Sequence, residues 1–218
     1  CKVPLDKEGP VHEAAWSPTS EEFVVVYGFM PAKATIFDAA KCEPKYQLGA
    51  GPHNTVRWNP FGRFVLLAGF GNLPGDMKFF DRKADGKFKL VGATRAACSV
   101  TAEWSPDGRR LLTATVAPRL NVDNGFKIWR YNGELLHHEP REKLYEACWQ
   151  PAPEGVHADR PISPGSVRKE TDAAAPGSAG AGAKKAAPYR PPHATSGSGN
   201  FSLAKAAPED AGPGKYKP

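Results

Sequence analysis

Short apolar runs recur through residues 1–150, and each has the same neighbours. "EFVVVYG" (22–28), "RFVLLAG" (63–69) and "RLLTATV" (110–116) all follow a turn-forming cluster, and every cluster follows a tryptophan. Ahead of that tryptophan, "VHEAAW" and "SVTAEW" mix polar and apolar side chains in the manner of a half-buried strand. The apolar run reads as an inner strand. Two further β-prone segments complete each unit: "ATIFD" and "KYQLG" in the first, "MKFFD" and "KFKLVG" in the second, "GFKIWRY" and "GELLHHE" in the third.

Alignment on the tryptophan makes the repeat explicit. "AAWSP" at Trp16, "VRWNP" at Trp58, "AEWSP" at Trp104 and "ACWQP" at Trp149 are spaced by 42, 46 and 45 residues. A period near 40 to 45 residues with four strands per unit is that of propeller blades. The fold expected is therefore all-β: three complete four-stranded blades plus the start of a fourth over residues 1–150, a WD-repeat-like partial β-propeller, followed by a disordered tail over 151–218. Three blades cannot close a ring, because propellers use about four to eight, so the missing blades are expected ahead of Cys1. The repeated tryptophans should pack at the seams between blades, where a large ring is buried and its N–H finds an acceptor. Asn124-Gly125 should form a tight hairpin corner, since both residue types tolerate positive φ.

Composition sharpens the boundary. All five Trp and ten of the eleven Phe precede residue 150, whereas eleven of the 22 Pro follow it, together with "AAAPGSAGAGAKKAAP". A segment so poor in apolar side chains cannot offset the entropy of ordering it, roughly 1 to 2 kcal/mol per residue for the backbone. The net charge of +6 divides into +3 for residues 1–150 and +3 for 151–218, so neither part carries a dense cationic block.

Candidate chemistry adds mostly exclusions. Cys1, Cys42, Cys98 and Cys148 are widely spaced without a C-x-x-C, which points to free thiols in a reducing compartment and not to zinc or a disulfide framework. The longest apolar run, "FVVVYGFM" (23–30), is too short to span a bilayer, which takes about 20 residues. The histidines have no nucleophile partner at a recognisable spacing, and the glycine-rich "GFGNLPG" (69–75) lies between two strands instead of opening a helix. No catalytic residue, metal or cofactor is expected, and the chain is expected not to be an enzyme.

In a propeller the loops joining second to third strands, and those joining one blade to the next, emerge on one face. These loops place Lys33, His53, Arg95, Arg119, Arg141 and Lys143 there, against acidic Asp76 and Asp123. Such a surface suits phosphate contacts that position RNA without reading its sequence. In the tail, Lys184, Lys185, Tyr189 and Arg190 combine cations with a ring able to stack on a base.

"YGFMPAKATIFD" (27–38), "LAGFGNLPGDMKFFD" (67–81) and "TATVAPRLNVDNGFKIWRYNGELLHH" (113–138) go beyond a generic repeat. They resemble the C-terminal part of the propeller in the eukaryotic translation initiation factor 2A family, and "PYRPP" (188–192) resembles a short motif in that family's tail. The resemblance implies a cytoplasmic factor that associates with the small ribosomal subunit and promotes GTP-independent delivery of initiator methionyl-tRNA in non-standard initiation. It also implies mRNA and other initiation factors as partners. Two other expectations stand beside it. "DNGFKIW" with an "NGELL"-type strand also resembles the b subunit of eukaryotic initiation factor 3, a scaffold, although "GFMPAKATIFD" argues against that family. A propeller scaffold that binds a peptide, unconnected with translation, is the third.

Overall fold

The structure is a computed structural model and describes residues 2–163 apart from 84, 118 and 154. It contains three four-stranded antiparallel sheets, each formed by consecutive strands in sequence order. The first blade is β1 (Val11–Trp16), β2 (Glu22–Tyr27), β3 (Ala32–Asp38) and β4 (Pro44–Gly51). The second is β5 (Thr55–Trp58), β6 (Phe64–Ala68), β7 (Asp76–Arg82) and β8 (Phe88–Arg95), and the third is β9 (Thr101–Trp104), β10 (Arg110–Thr115), β11 (Gly125–Arg130) and β12 (Leu135–Pro140). β1 lies against β5 and β5 against β9, so the first strand of each blade, which ends in the repeated tryptophan, forms the inner edge of the array.

The second strands are buried almost throughout, and β6 is apolar at every position because both faces of its sheet are covered. In β2, Val24 and Val26 point towards the second blade, where they meet Val56, Val65 and Leu67, while Phe23, Val25 and Tyr27 pack on the other side with Phe37. In β6, Val65 and Leu67 face back to the first blade, and Phe64, Leu66 and Ala68 face forward to Trp104, Leu111, Trp129 and Tyr131 of the third. Strict alternation would leave a polar row facing a neighbouring sheet, so the continuous run is the pattern that stacking requires.

The "W-S/N-P" phrase has two jobs. The indole N–H of Trp58 donates to the carbonyl of Ala15 at 3.2 Å, that of Trp104 to the carbonyl of Arg57 at 3.1 Å, and that of Trp149 to the carbonyl of Glu103 at 3.1 Å. Each acceptor immediately precedes the tryptophan of the blade before, which makes one repeating inter-blade bond. The polar residue after the tryptophan is buried at Ser17, Asn59 and Ser105 and ties down the turn. Asn59 Oδ1 accepts the N–H groups of Arg63 and Phe64, both at 2.8 Å, and Ser105 Oγ accepts that of Arg110 at 3.0 Å. Around Trp149 the chain makes the inter-blade bonds of the repeat without a strand assignment, since no second strand of a fourth blade lies beside it among the described residues.

Three expectations need correction. Asn124-Gly125 is not a two-residue hairpin corner. Asp123 carries the positive φ of 53°, Gly125 opens β11, and the buried Asn124 side chain spans from the carbonyl of Leu120 to the N–H of Leu144. The packed region also runs past residue 150. Arg63 donates to Asp159 and to the carbonyl of Arg160, Arg109 to the carbonyls of Arg160 and Pro161, and Ile162 packs against the core shared by the second and third blades. One apolar side chain and two arginines thus order a segment whose overall composition is that of a linker. Residues 164–218 lie outside the described residues, and with them the expected tail contacts Lys184, Lys185, Tyr189 and Arg190. Finally, Cys42 is disulfide-bonded, while Cys98 and Cys148 are free. Spacing along the chain carries no signal for such a pairing. Among the described residues no helix is long and apolar enough to cross a membrane.

Candidate nucleic-acid interface

The two sets of loops do meet on one face. Asn54, between the first and second blades, accepts the N–H of Phe70 and donates to its carbonyl, both at 2.9 Å. Gly71 donates to the carbonyl of Ser99 at 3.2 Å, and Ala117 to that of Leu144 at 2.7 Å. Glycine is needed here for close approach: a Cβ at Gly69 would overlap the carbonyl oxygen of Pro52, and one at Gly75 that of Ala96. "GFGNLPG" is therefore a packing loop laid across the connectors between blades.

The six cations expected on this face divide into three kinds. His53 is a correction, because it is 1% exposed and fills the space that Gly51 leaves open. Burial first, then the charge of Lys78, pushes its imidazole down to about 4 against an opposing effect of Asp76, so the ring is neutral near pH 7 and is no phosphate contact. Its Nδ1 has no hydrogen-bond partner among the described residues.

Lys33, Arg95 and Arg141 are present but already matched. Lys33 lies within β3, not in the loop, and its ammonium is bound to Asp6, which also accepts the Tyr27 hydroxyl at 2.6 Å. The Lys33 bond, followed by that of Tyr27, holds the Asp6 carboxyl below the usual carboxylate range. Arg95 pairs with Asp76 at 2.6 Å, and Arg141 with Glu139 at 3.0 Å. A phosphate at any of these would have to compete with a carboxylate.

Arg119 and Lys143 form the third kind, exposed and without an ion-pair partner among the described residues. The fold brings their two loops together. Arg119 sits in the loop between β10 and β11, with its guanidinium against Gly71 of the second blade. Lys143 precedes Leu144, which is bonded on both sides to that same loop through Ala117 and Asn124. Two unmatched cations on adjacent loops, with no carboxylate bound to either, are suited to successive phosphates of a nucleic-acid backbone.

The sequence argument missed a second basic feature on the opposite face. Arg109, Arg110, Arg130 and Arg160 line a groove of about 490 Å³ together with Tyr131 and Ser163. Only the doublet Arg109-Arg110 could have signalled it; Arg130 and Arg160 are brought to it by the third blade and the docked segment.

Comparison with known proteins agrees with this architecture. Residues 1–147 match the family model described as eukaryotic translation initiation factor eIF2A. The chain is 42% identical over 196 residues to eukaryotic translation initiation factor 2A of Drosophila melanogaster, covering 88% of this chain and 29% of that protein. To the b subunit of eukaryotic translation initiation factor 3 from Xenopus laevis it is 29% identical over 160 residues, covering 70% of this chain and 23% of the relative. A crystal structure of a eukaryotic initiation factor superposes with a TM-score of 0.65 at 43% identity, over 69% of this chain and 37% of that one. The chain thus spans about a third or less of the curated relatives named here, and identity favours the first family over the scaffold. The three blades, their tryptophan seams and the match over residues 1–147 place this chain in the eukaryotic translation initiation factor eIF2A family.

Proposed function

We propose that the protein carrying this chain binds the small ribosomal subunit in the cytoplasm and promotes delivery of initiator methionyl-tRNA without itself using GTP, as a binding factor and not as an enzyme. Membership in the initiation-factor family supports the setting. The observation that carries the contact is the pair of exposed, unmatched cations Arg119 and Lys143 on neighbouring loops. Lys33 is left out of this reading, because its charge is paired with Asp6. Initiator tRNA, mRNA and other initiation factors are the further partners of this reading.

The test is co-sedimentation of the full-length protein with small ribosomal subunits across a salt series. Removing one cation that touches a phosphate should reduce the slope of log affinity against log salt by about 0.7 to 0.9. Arg119→Ala with Lys143→Ala should weaken binding at low salt and flatten the slope by about 1.5, while Lys33→Ala should leave the slope unchanged. Equal slopes for the wild-type and the double variant would place the contact elsewhere.

A further inference from the structure

The groove on the opposite face has an excess of positive charge, and the chain's own segment 159–163 forms one of its walls. Asp107 is the one carboxylate among the described residues of the lining and is shared between Arg110 at 3.4 Å and Arg160 at 3.7 Å. Arg130 takes Glu134 at 2.6 Å, and Arg109 is spent on backbone carbonyls and on the Tyr131 ring, 4.3 Å from its centroid. Four guanidiniums therefore surround a space that two carboxylates only partly balance. Ser163 lies in that lining, exposed, with its N–H donated to the Tyr131 hydroxyl at 3.0 Å. The next residue in the sequence is Pro164, so Ser163 heads a Ser-Pro dipeptide with Arg160 three positions before it.

We propose that Ser163 is a phosphorylation site for a proline-directed serine kinase, and that the arginine groove then holds the phosphoserine and fastens segment 159–163 to the third blade. In the transfer, Ser163 Oγ forms a bond to the γ-phosphorus of ATP, the bond from that phosphorus to the ADP oxygen breaks, and the hydroxyl proton passes to the kinase's base. The product brings a charge of about −1.5 to −2 and three acceptor oxygens into the groove. Guanidiniums meet a phosphate through paired N–H donors, which lysines would not supply with the same geometry. Arg110 and Arg130 are the two arginines that can turn towards it, since each guanidinium is about half-exposed and gives up only a single short-range ion pair within its own turn. The segment is poised for this change: already docked through Ile162 and backbone carbonyls, it needs the phosphate only to lower the rate at which it opens. This goes beyond the ribosome contact, which lies on the other face.

The experiment treats the full-length protein with ATP and a proline-directed serine kinase, maps the product by mass spectrometry, and follows hydrogen exchange over residues 159–163. A synthetic peptide spanning residues 155–170 serves as the positive control for the kinase. One phosphate is expected at Ser163, absent in Ser163→Ala, with exchange in the segment slowed about tenfold or more. In Arg110→Ala with Arg130→Ala, phosphorylation should still occur but most of the slowing should vanish, and the unphosphorylated double variant should exchange like the wild-type. A protein left unmodified at Ser163 while the peptide is phosphorylated would overturn the proposal. Exchange that is unchanged or faster after phosphorylation would also do so, as would slowing that survives removal of both arginines.

Discussion

His53 shows how one side chain can change its role between sequence and structure. In "GPHN" it sits in a connector, where a loop histidine is ordinarily wet, yet it ends 1% exposed beneath the Gly51 backbone with a pKa pushed down to about 4. The unfolded chain takes up a proton near pH 6.5, and the folded chain does not until about pH 4. Its contribution is therefore complete above about pH 6.5, falls as the pH drops towards 4, and levels off below that, a loss on the order of 3 kcal/mol. Thermal unfolding of the full-length protein at steps between pH 7 and 4 should show this fall, and His53→Gln should flatten it over that window. An unchanged profile in the variant would mean that other groups carry the acid sensitivity. Lys33 makes the same point differently: its charge was legible, but its partner Asp6 is 27 residues away and is set by the path of the N-terminal segment.

Between elements, the sequence was most informative where geometry repeats. The tryptophan spacing, the alternating first strands and the mostly apolar second strands each follow from stacking four-stranded sheets, so the strand order could be anticipated almost segment by segment. Ion pairs between blades follow no such period. Glu22 opens the otherwise apolar β2 and is buried, where Arg82 of the second blade reaches it at 2.9 Å and Lys45 at 2.7 Å. Burial alone would push the Glu22 carboxyl up, but the bonds and charges of Arg82 and Lys45 outweigh it, and the group is held below the usual carboxylate range. Its stabilising effect is present above the unfolded value near 4.5 and is lost as the pH falls through the lower folded value. Arg82→Leu should cost about 3 kcal/mol near neutrality because it leaves a buried charge short of a partner. That penalty, read from denaturant midpoints, should shrink in acid, where the carboxyl can take up a proton. The docked segment 159–163 was hidden for a related reason: its anchors, Arg63 and Arg109, belong to turns of two different blades.

At the scale of the molecule, the two sides of the array are unlike. The second blade is covered on both faces, but in the first blade Trp16, at one end of β1, is 62% exposed, and Val11 and Phe29, at the other end, are 53% and 65% exposed. Exposed rings of this size are where other apolar groups settle in water. Expressed alone, the chain should bind a hydrophobic-surface dye, and Trp16→Ser with Phe29→Ser should remove much of that signal. Dye binding that ignores both changes would place the exposed surface elsewhere. The seams carry a further consequence. The residues that offer their carbonyls to successive indoles are Ala15, Arg57 and Glu103, one small, one cationic and one anionic, because the indole recognises only the main chain. The indole bond of each joint is thus indifferent to the side chain of the residue it binds. Duplicating or deleting a whole repeat would leave every remaining indole with a carbonyl to bind, which gives such an array a simple route to change its number of blades over evolutionary time.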